Sequence, residues 1–490
     1  MRLPNIILPS RQGLYYGGDW HAPVEAGEVE IDSPATGQIL AKISSATAAD
    51  LDQAVAAAVK GYEEWRDILP MERARIMREI AAVIRANKEE LALLDAIDCG
   101  NPVDELRRDV EVSAAYFDFY AGLVTEMKGV SVPVGPDALS FSVREPFGVV
   151  ARIAPFNHPF IFGVGRVAAP LAAGNSVIVK PPEQAPLTAL RTAELIGHLL
   201  PAGVYNVLPG DRDLGAALVT HPDVAFIAVT GSVPTGKAVM RAASDSLKRT
   251  ILELGGKNAL LALPDMNPDT VASAMVRGMN FTWCGQSCGS TSRAFVHADI
   301  YEEVLALLPK YASKFKPGLP TDPATTMGCL VNKTQYERVV GYIEGAKAEG
   351  AHLVYGGMRP ADPELAQGYF LEPTIFADVT MDMRIAQEEI FGPVLSVLKW
   401  TDEEDVLRQI NQVQYGLTFS IFTRDVVKAH RFVARVQSGF CWINEVSRHV
   451  LGSAFGGYKQ SGIGREECLE ELLSYTQEKN VFVNLNTSQF

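Results

Sequence analysis

Cys288 lies in FTWCGQSCGSTSR, residues 281–293, a glycine-broken polar stretch rich in small side chains. A helical pattern over 269–279 precedes it and an apolar, strand-like run over 294–297 follows. A thiol at such an element end lies near free backbone N–H groups. These lower its pKa and can hold an oxyanion. A free cysteine is just as often a small core residue, so Cys288 alone does not decide between chemistry and packing. Two other residues suit the same chemistry. Glu253 closes the apolar run Ile251–Leu252. A carboxylate among apolar neighbours has its pKa raised and can act as a base near neutrality, although a salt-bridged Glu would look the same. Asn157 sits between prolines in PFNHP, where its amide can donate to an oxyanion or simply satisfy a turn.

A second group of residues suits a phosphate-bearing ligand. Lys180 ends the strand-like run Ser176–Lys180, and Glu183 follows it. Lys at a strand end can bond ribose hydroxyls, and Glu accepts from a 2′-hydroxyl while repelling a 2′-phosphate. Gly231–Lys237, GSVPTGK, has the glycine and lysine spacing of a P-loop, but Ala238 replaces the hydroxyl that would hold Mg²⁺. No GxGxxG occurs. What remains is a glycine turn between strand and helix that brings backbone close to a phosphate.

These residues must be positioned by a frame, and the chain offers one. Short apolar runs at 149–153, 176–180, 205–208, 226–229 and 251–254 alternate with helical stretches at 187–200, 214–220 and 232–243. The rhythm repeats later, with strands at 259–263, 294–297, 391–398 and 419–423 and helices at 301–312, 334–349 and 403–411. Such alternation predicts parallel sheets covered on both faces, with ligands outside the strands' carboxyl ends. Upstream, helical spacing over 47–65, 71–97 and 106–120 follows turns at 16–19 and 33–37. Residues 131–134 and 139–143 alternate like paired strands, and residues 474–486 do so again near the end. Such strands need an edge to pair with, here predicted to lie on a partner subunit.

Composition narrows the classes. With 44 Lys and Arg against 58 Asp and Glu, the net charge of −14 argues against nucleic-acid binding. Six scattered cysteines do not form a disulfide framework, so reduced cytoplasmic thiols are expected. No apolar run reaches the ~18 residues of a membrane span, and no leader is evident. Eight histidines without HExxH or an i, i+4 pair predict no metal site.

Together the motifs PFNHP (155–159), VKPPE (179–183), TGSVPTG (230–236), LELGGK (252–257), GQSC (285–288), EEIFGPV (388–394) and FGGYKQSGIGRE (455–466) resemble the aldehyde dehydrogenase superfamily, in family order and over nearly the whole chain. The resemblance implies an α/β fold of two doubly wound parallel-sheet domains with a β-strand oligomerisation arm. It implies a Rossmann-like NAD-binding domain at 1–127 and 147–255, a catalytic domain at 256–460 and an arm at 128–146 and 474–490, in a cytoplasmic homodimer or homotetramer. Cys288 would be the nucleophile, Asn157 and the Cys288 N–H the oxyanion donors, and Glu253 the base for the hydrolytic water. NAD would be held by Ile153, Pro155, Phe156, Lys180, Glu183, Gly231, Ser232, Leu254, Gly255, Glu389 and Phe391, with NADP disfavoured by Glu183. Val112, His158, Phe162, Gly165, Thr282, His449 and Phe455 would line the aldehyde tunnel.

The chain departs from the family at Trp283, where Asn is common, and at Cys284, where Gln is frequent; Cys284 precedes Cys288 by four residues, a spacing open to a redox pair. Gly165 and Thr282 replace aromatics found in relatives that take quaternary ammonium aldehydes. The expected substrate is therefore a general aliphatic or aromatic aldehyde. The alternative is a carboxylate-bearing semialdehyde anchored by Arg108 or Arg448. A CoA-acylating dehydrogenase is disfavoured by Glu253, and a non-enzymatic structural protein by the intact catalytic set.

Overall fold

The computed structural model describes residues 6–25 and 27–486. Residues 1–5 and 26 of the expected first domain, and 487–490 of the expected arm, lie outside them.

Five parallel strands make the first sheet: β1 (Val149–Ile153), β2 (Ser176–Lys180), β3 (Tyr205–Val207), β4 (Val224–Thr230) and β5 (Arg249–Glu253). Their order is β3-β2-β1-β4-β5. The chain thus winds one way from β1, then returns to β1's other side. This reversal creates the crevice in which open α/β sheets bind ligands. Val150, Val177, Ile178, Val179, Ile227 and Ala228 are fully buried, because helices cover both faces. An antiparallel hairpin, Leu14–Tyr16 with Asp19–His21, extends the sheet beside β3. Its turn places Gly17 and Gly18 at φ 62° and 81°, which glycine adopts without strain. Gly462–Ile463 pairs antiparallel with β5 at the other edge.

The second sheet is built from β6 (Ala259–Ala262), β7 (Arg293–His297), β8 (Thr374–Ala377), β9 (Val394–Trp400), β10 (Thr418–Phe422) and β11 (Phe440–Ile443), with an antiparallel strand, His352–Tyr355, on the outer edge of β8. The order β8-β9-β7-β6-β10-β11 again winds both ways from its first strand. Its core is separate from that of the first sheet.

The third sheet lies where the arm is expected, and its terminal strand finds its edge within the chain rather than on a partner subunit. Ala138–Pro146 pairs along its whole length with Thr476–Asn484, and Ser131–Val132 adds on the far side. Leu139, Val143 and Phe482 remain exposed on it.

Two expected elements differ. The helical pattern over 71–97 forms two helices, Pro70–Ala86 and Lys88–Cys99. Asn87 breaks them: its side chain bonds the Val83 carbonyl at 2.8 Å and competes with the helical ladder. The strand expected from Phe391 begins only at Val394, because Phe391 adopts φ 57° and Pro393 follows. Among the described residues no helix is long and apolar enough to cross a membrane.

Candidate active site

Three of the predicted residues reach the site from strand ends of the first sheet, and their register explains how. Ile153 pairs with Lys180 and with Val229, and Thr230 pairs with Glu253. The carboxyl ends of β1, β2, β4 and β5 are therefore level. Asn157 leaves the sheet just after β1, Lys180 ends β2, and Glu253 ends β5. Gly231 and Ser232 follow β4, where Ser232 caps the helix Val233–Ser244 by accepting from the Thr235 N–H.

Cys288 comes from the other sheet, on the loop before β7. That loop is strained: Asn280 and Cys284 sit at φ 56° and 53° although neither is glycine. Gly285 is at φ 66°, and a side chain there would run into the Gly392 carbonyl. Buried amides hold the loop. Asn258 Nδ2 donates to the carbonyls of Cys288 (2.6 Å) and Ser290 (2.9 Å), while its Oδ1 accepts from the Thr418 N–H. Gln286 donates to the Cys329 carbonyl and accepts from the Val331 N–H. Asn280 Nδ2 lies 3.3 Å from Ser287 Oγ.

Two cavities meet at this loop. One, of about 220 Å³, is bordered by Val112, His158, Phe162, His449 and Phe455, and also by Trp283, Trp442 and Ser447. The other, of about 140 Å³, is bordered by Pro155, Phe156, Gly231, Ser232, Leu254, Gly255, Glu389 and Phe391. Cys288, Asn157, Glu253 and Thr230 border both. Gly165 and Thr282, expected in the tunnel, are elsewhere. Gly165 is buried against Ser113, and Thr282 opens on a separate cavity that also holds Arg108. Arg108 is ion-paired with Glu105 at 2.7 Å, and neither it nor Arg448 borders the Cys288 cavity.

Electrostatics correct one expectation. The thiol of Cys288 is not acidified; burial, with the Glu253, Glu389 and Glu466 carboxylates, pushes it up to about 12 against its own backbone N–H bond. Burial and Glu466 likewise raise Glu253, against Arg166 and Arg465. Both Glu253 oxygens lack a hydrogen-bond partner. A carboxyl so placed binds protons readily and has nothing but the cavity to exchange them with. The Asn157 carbonyl accepts from Asn101 Nδ2 at 2.8 Å, which anchors its backbone while its side chain borders the cavities. Cys284 is no partner for Cys288: it is free, fully buried in the second core, and raised by burial and the nearby Cys329.

The second cavity fits a dinucleotide. Glu389 accepts from the Gly256 N–H at 2.9 Å, and a side chain at Gly255 would overrun the Glu389 carboxylate. Phe391 meets Phe156 edge-on, with ring centroids 5.7 Å apart. Lys180 and Glu183 stand 3.7 Å apart beyond the cavity's border, with Lys180 buried and Glu183 open to solvent. Ile153 is Lys180's neighbour on the adjacent strand. Gln335 and Arg338 also border this cavity, bonding the Phe391 and Glu389 carbonyls. Sequence reading missed both, as well as Asn258, because their amphipathic-helix and turn settings carry no distinctive pattern.

The model of the Aldehyde dehydrogenase family matches residues 20–481. An aldehyde dehydrogenase of Talaromyces stipitatus, TropH, is 49% identical over 486 residues, covering 98% of this chain and 94% of that protein. An aldehyde dehydrogenase from Bacillus cereus, solved as its NAD+ complex, superposes with a TM-score of 0.94 at 38% identity over 98% of both chains. PnpE from Pseudomonas sp. WBC-3, solved with nicotinamide adenine dinucleotide, gives a TM-score of 0.95 at 37% identity over 97% of this chain and 98% of that one.

Proposed function

Because the chain belongs to the aldehyde dehydrogenase family and is an NAD-dependent enzyme that oxidises aldehydes, we propose that it does so covalently through Cys288. The observation that carries the proposal is that Cys288, Asn157 and Glu253 border both cavities at once. A thiol at the junction can hold an aldehyde from one side within reach of a cofactor on the other.

The thiol gives up its proton to solvent through the cavity. Sulfur attacks the aldehyde carbon, and the thiohemiacetal oxyanion is met by the Asn157 amide and the Cys288 N–H. One such donor typically contributes ~3 kcal/mol. NAD, bound in the second cavity by Gly231, Ser232, Glu389, Phe391 and their neighbours, supplies the hydride acceptor. Loss of hydride leaves a thioester on Cys288. Glu253 then deprotonates water, and hydrolysis releases the acid. Lys180 and Glu183 bind the adenosine ribose, and Glu183 favours NAD over NADP by repelling a 2′-phosphate. The arm pairs subunits through Leu139, Val143 and Phe482. The substrate is a general aliphatic or aromatic aldehyde, since neither Arg108 nor Arg448, the arginines expected to anchor a carboxylate, borders the Cys288 cavity.

The decisive experiment is Glu253→Gln with NAD and an aldehyde. One NADH per subunit should appear and then stall, with the acyl group mapped by mass spectrometry to Cys288. Normal turnover, or acylation elsewhere, removes the proposal. As a separate check, Glu183→Ala should narrow the preference of kcat/KM for NAD over NADP; an unchanged ratio counts against that contact.

A further inference from the structure

The substrate cavity is walled by rings: Phe162, Trp442, His449, Phe455, His158 and Trp283. Its volume of about 220 Å³ is below the ~300–1,000 Å³ of pockets for drug-sized ligands, so a single ring fills it. Besides the ion-paired Arg166, whose Nε and Nη1 also lack a hydrogen bond, two neutral donors on residues of this wall have no partner. The indole Nε1–H of Trp283 is buried and unbonded, and so is the hydroxyl of Ser447. Ser447 is also held at φ 55°, an uncommon conformation for a non-glycine residue. A buried donor left unbonded is costly, and a substrate acceptor relieves that cost. Trp283 is fixed against His158, ring centroids 5.1 Å apart, and His158 is tied to Asp109 at 2.8 Å.

Charge restricts the ligand further. The cations near the cavity are already matched: Arg166 by Glu466 and Glu467, and His158 by Asp109. Glu253 adds a further acid. An anion would meet no free cation among the described lining residues.

We propose that Trp283 and Ser447 select neutral aromatic aldehydes that carry an ether, hydroxyl or keto oxygen on the ring. The inference rests on the Cys288 reading, which sets where the aldehyde group lies. It makes Trp283 a specificity residue and gives its departure from the family a function. A site built to bond a substrate oxygen rejects the analogue that lacks it.

The test compares para-methoxybenzaldehyde with para-ethylbenzaldehyde, which is similar in size but has no acceptor, and with para-carboxybenzaldehyde. The wild-type enzyme should prefer the methoxy compound in kcat/KM. Trp283→Phe should lower the methoxy-to-ethyl ratio about tenfold, the loss expected for one hydrogen bond. Ser447→Gly, which suits the local backbone, should lower it severalfold. A ratio unchanged in both variants overturns the inference, as does a wild-type preference for the ethyl or carboxy compound. If no aldehyde yields NADH, the catalytic reading fails. Kd values of the same aldehydes on Cys288→Ala then decide the inference alone: a methoxy preference lost in the double variant with Trp283→Phe upholds it, and equal binding overturns it.

Discussion

The two sheets contribute to the site in opposite ways. The first delivers Asn157, Lys180, Thr230 and Glu253 from the level carboxyl ends of parallel strands, so their placement follows from topology and register. The second delivers Cys288 from a loop with two non-glycine residues in left-handed conformation, held by the side chains of Asn258, Gln286 and Asn280. One half is fixed by ladder hydrogen bonds and buried apolar strands; the other depends on a few amide contacts. Polar groups carried by sheet ends are placed mainly by the ladder, with one buried anchor from Asn101 to Asn157, whereas a strained loop needs several buried partners that over-determine it.

The largest expected effect concerns the loop-borne thiol. With Cys288 pushed up to about 12 by burial and three carboxylates, it is protonated throughout the neutral range. Only the thiolate alkylates, so the iodoacetamide rate of the free enzyme should climb about tenfold per pH unit from pH 7 to 10. A plateau below pH 8 would show a thiolate already formed. The loop would then be acidifying its cysteine, as its position at an element end suggested.

A paired substitution sharpens the contrast between the halves. Asn157→Ala removes an oxyanion donor while leaving the strand end intact, so kcat should fall ~10²–10³-fold with little change in Tm. Asn258→Ala touches no reacting atom. It frees the carbonyls of Cys288 and Ser290 and the Thr418 N–H, so kcat should fall about tenfold together with a lowered Tm, at ~1–3 kcal/mol for buried groups left unbonded. Equal Tm losses in both variants would erase the distinction between topology-placed and contact-placed residues.

The same distinction explains what could be read from the sequence. Asn157, Lys180 and Glu253 stand out because each ends or follows an apolar run whose period marks it as a strand. The tunnel was harder. Gly165 and Thr282 were assigned to it by position, yet Trp283 borders the cavity, because the left-handed turn at Cys284 sets side-chain direction in a way that no spacing reveals. Arg108 shows a similar limit: its helix was legible, but the buried face of Leu106, Asp109, Val110 and Ser113 turns Arg108 outward, where it pairs with Glu105. Strands β8 and β11 were not anticipated either. They are short and gain their definition from the neighbours they pair with.

The smallest effect lies where the two halves join. Lys257 belongs to the crossover between β5 and β6, and its carbonyl accepts from Arg293 Nε at 3.0 Å. Its ammonium nitrogen is buried without a hydrogen-bond partner, and burial, reinforced by Arg293, lowers its pKa to about 7. The unfolded chain keeps an ordinary lysine near ~10.4. Between these values the unfolded state binds more protons, so this group makes stability rise with pH, and its cost is greatest below pH 7. Lys257→Met removes the cost while filling similar volume. Its Tm should exceed the wild-type value at pH 6 by the equivalent of ~1–3 kcal/mol, the usual cost of an unpaired buried polar group. The gain should shrink to nothing towards pH 10. A lower Tm at every pH would mean that the ammonium contributes to holding the halves together, and the junction would then belong with the contact-dependent part of the site.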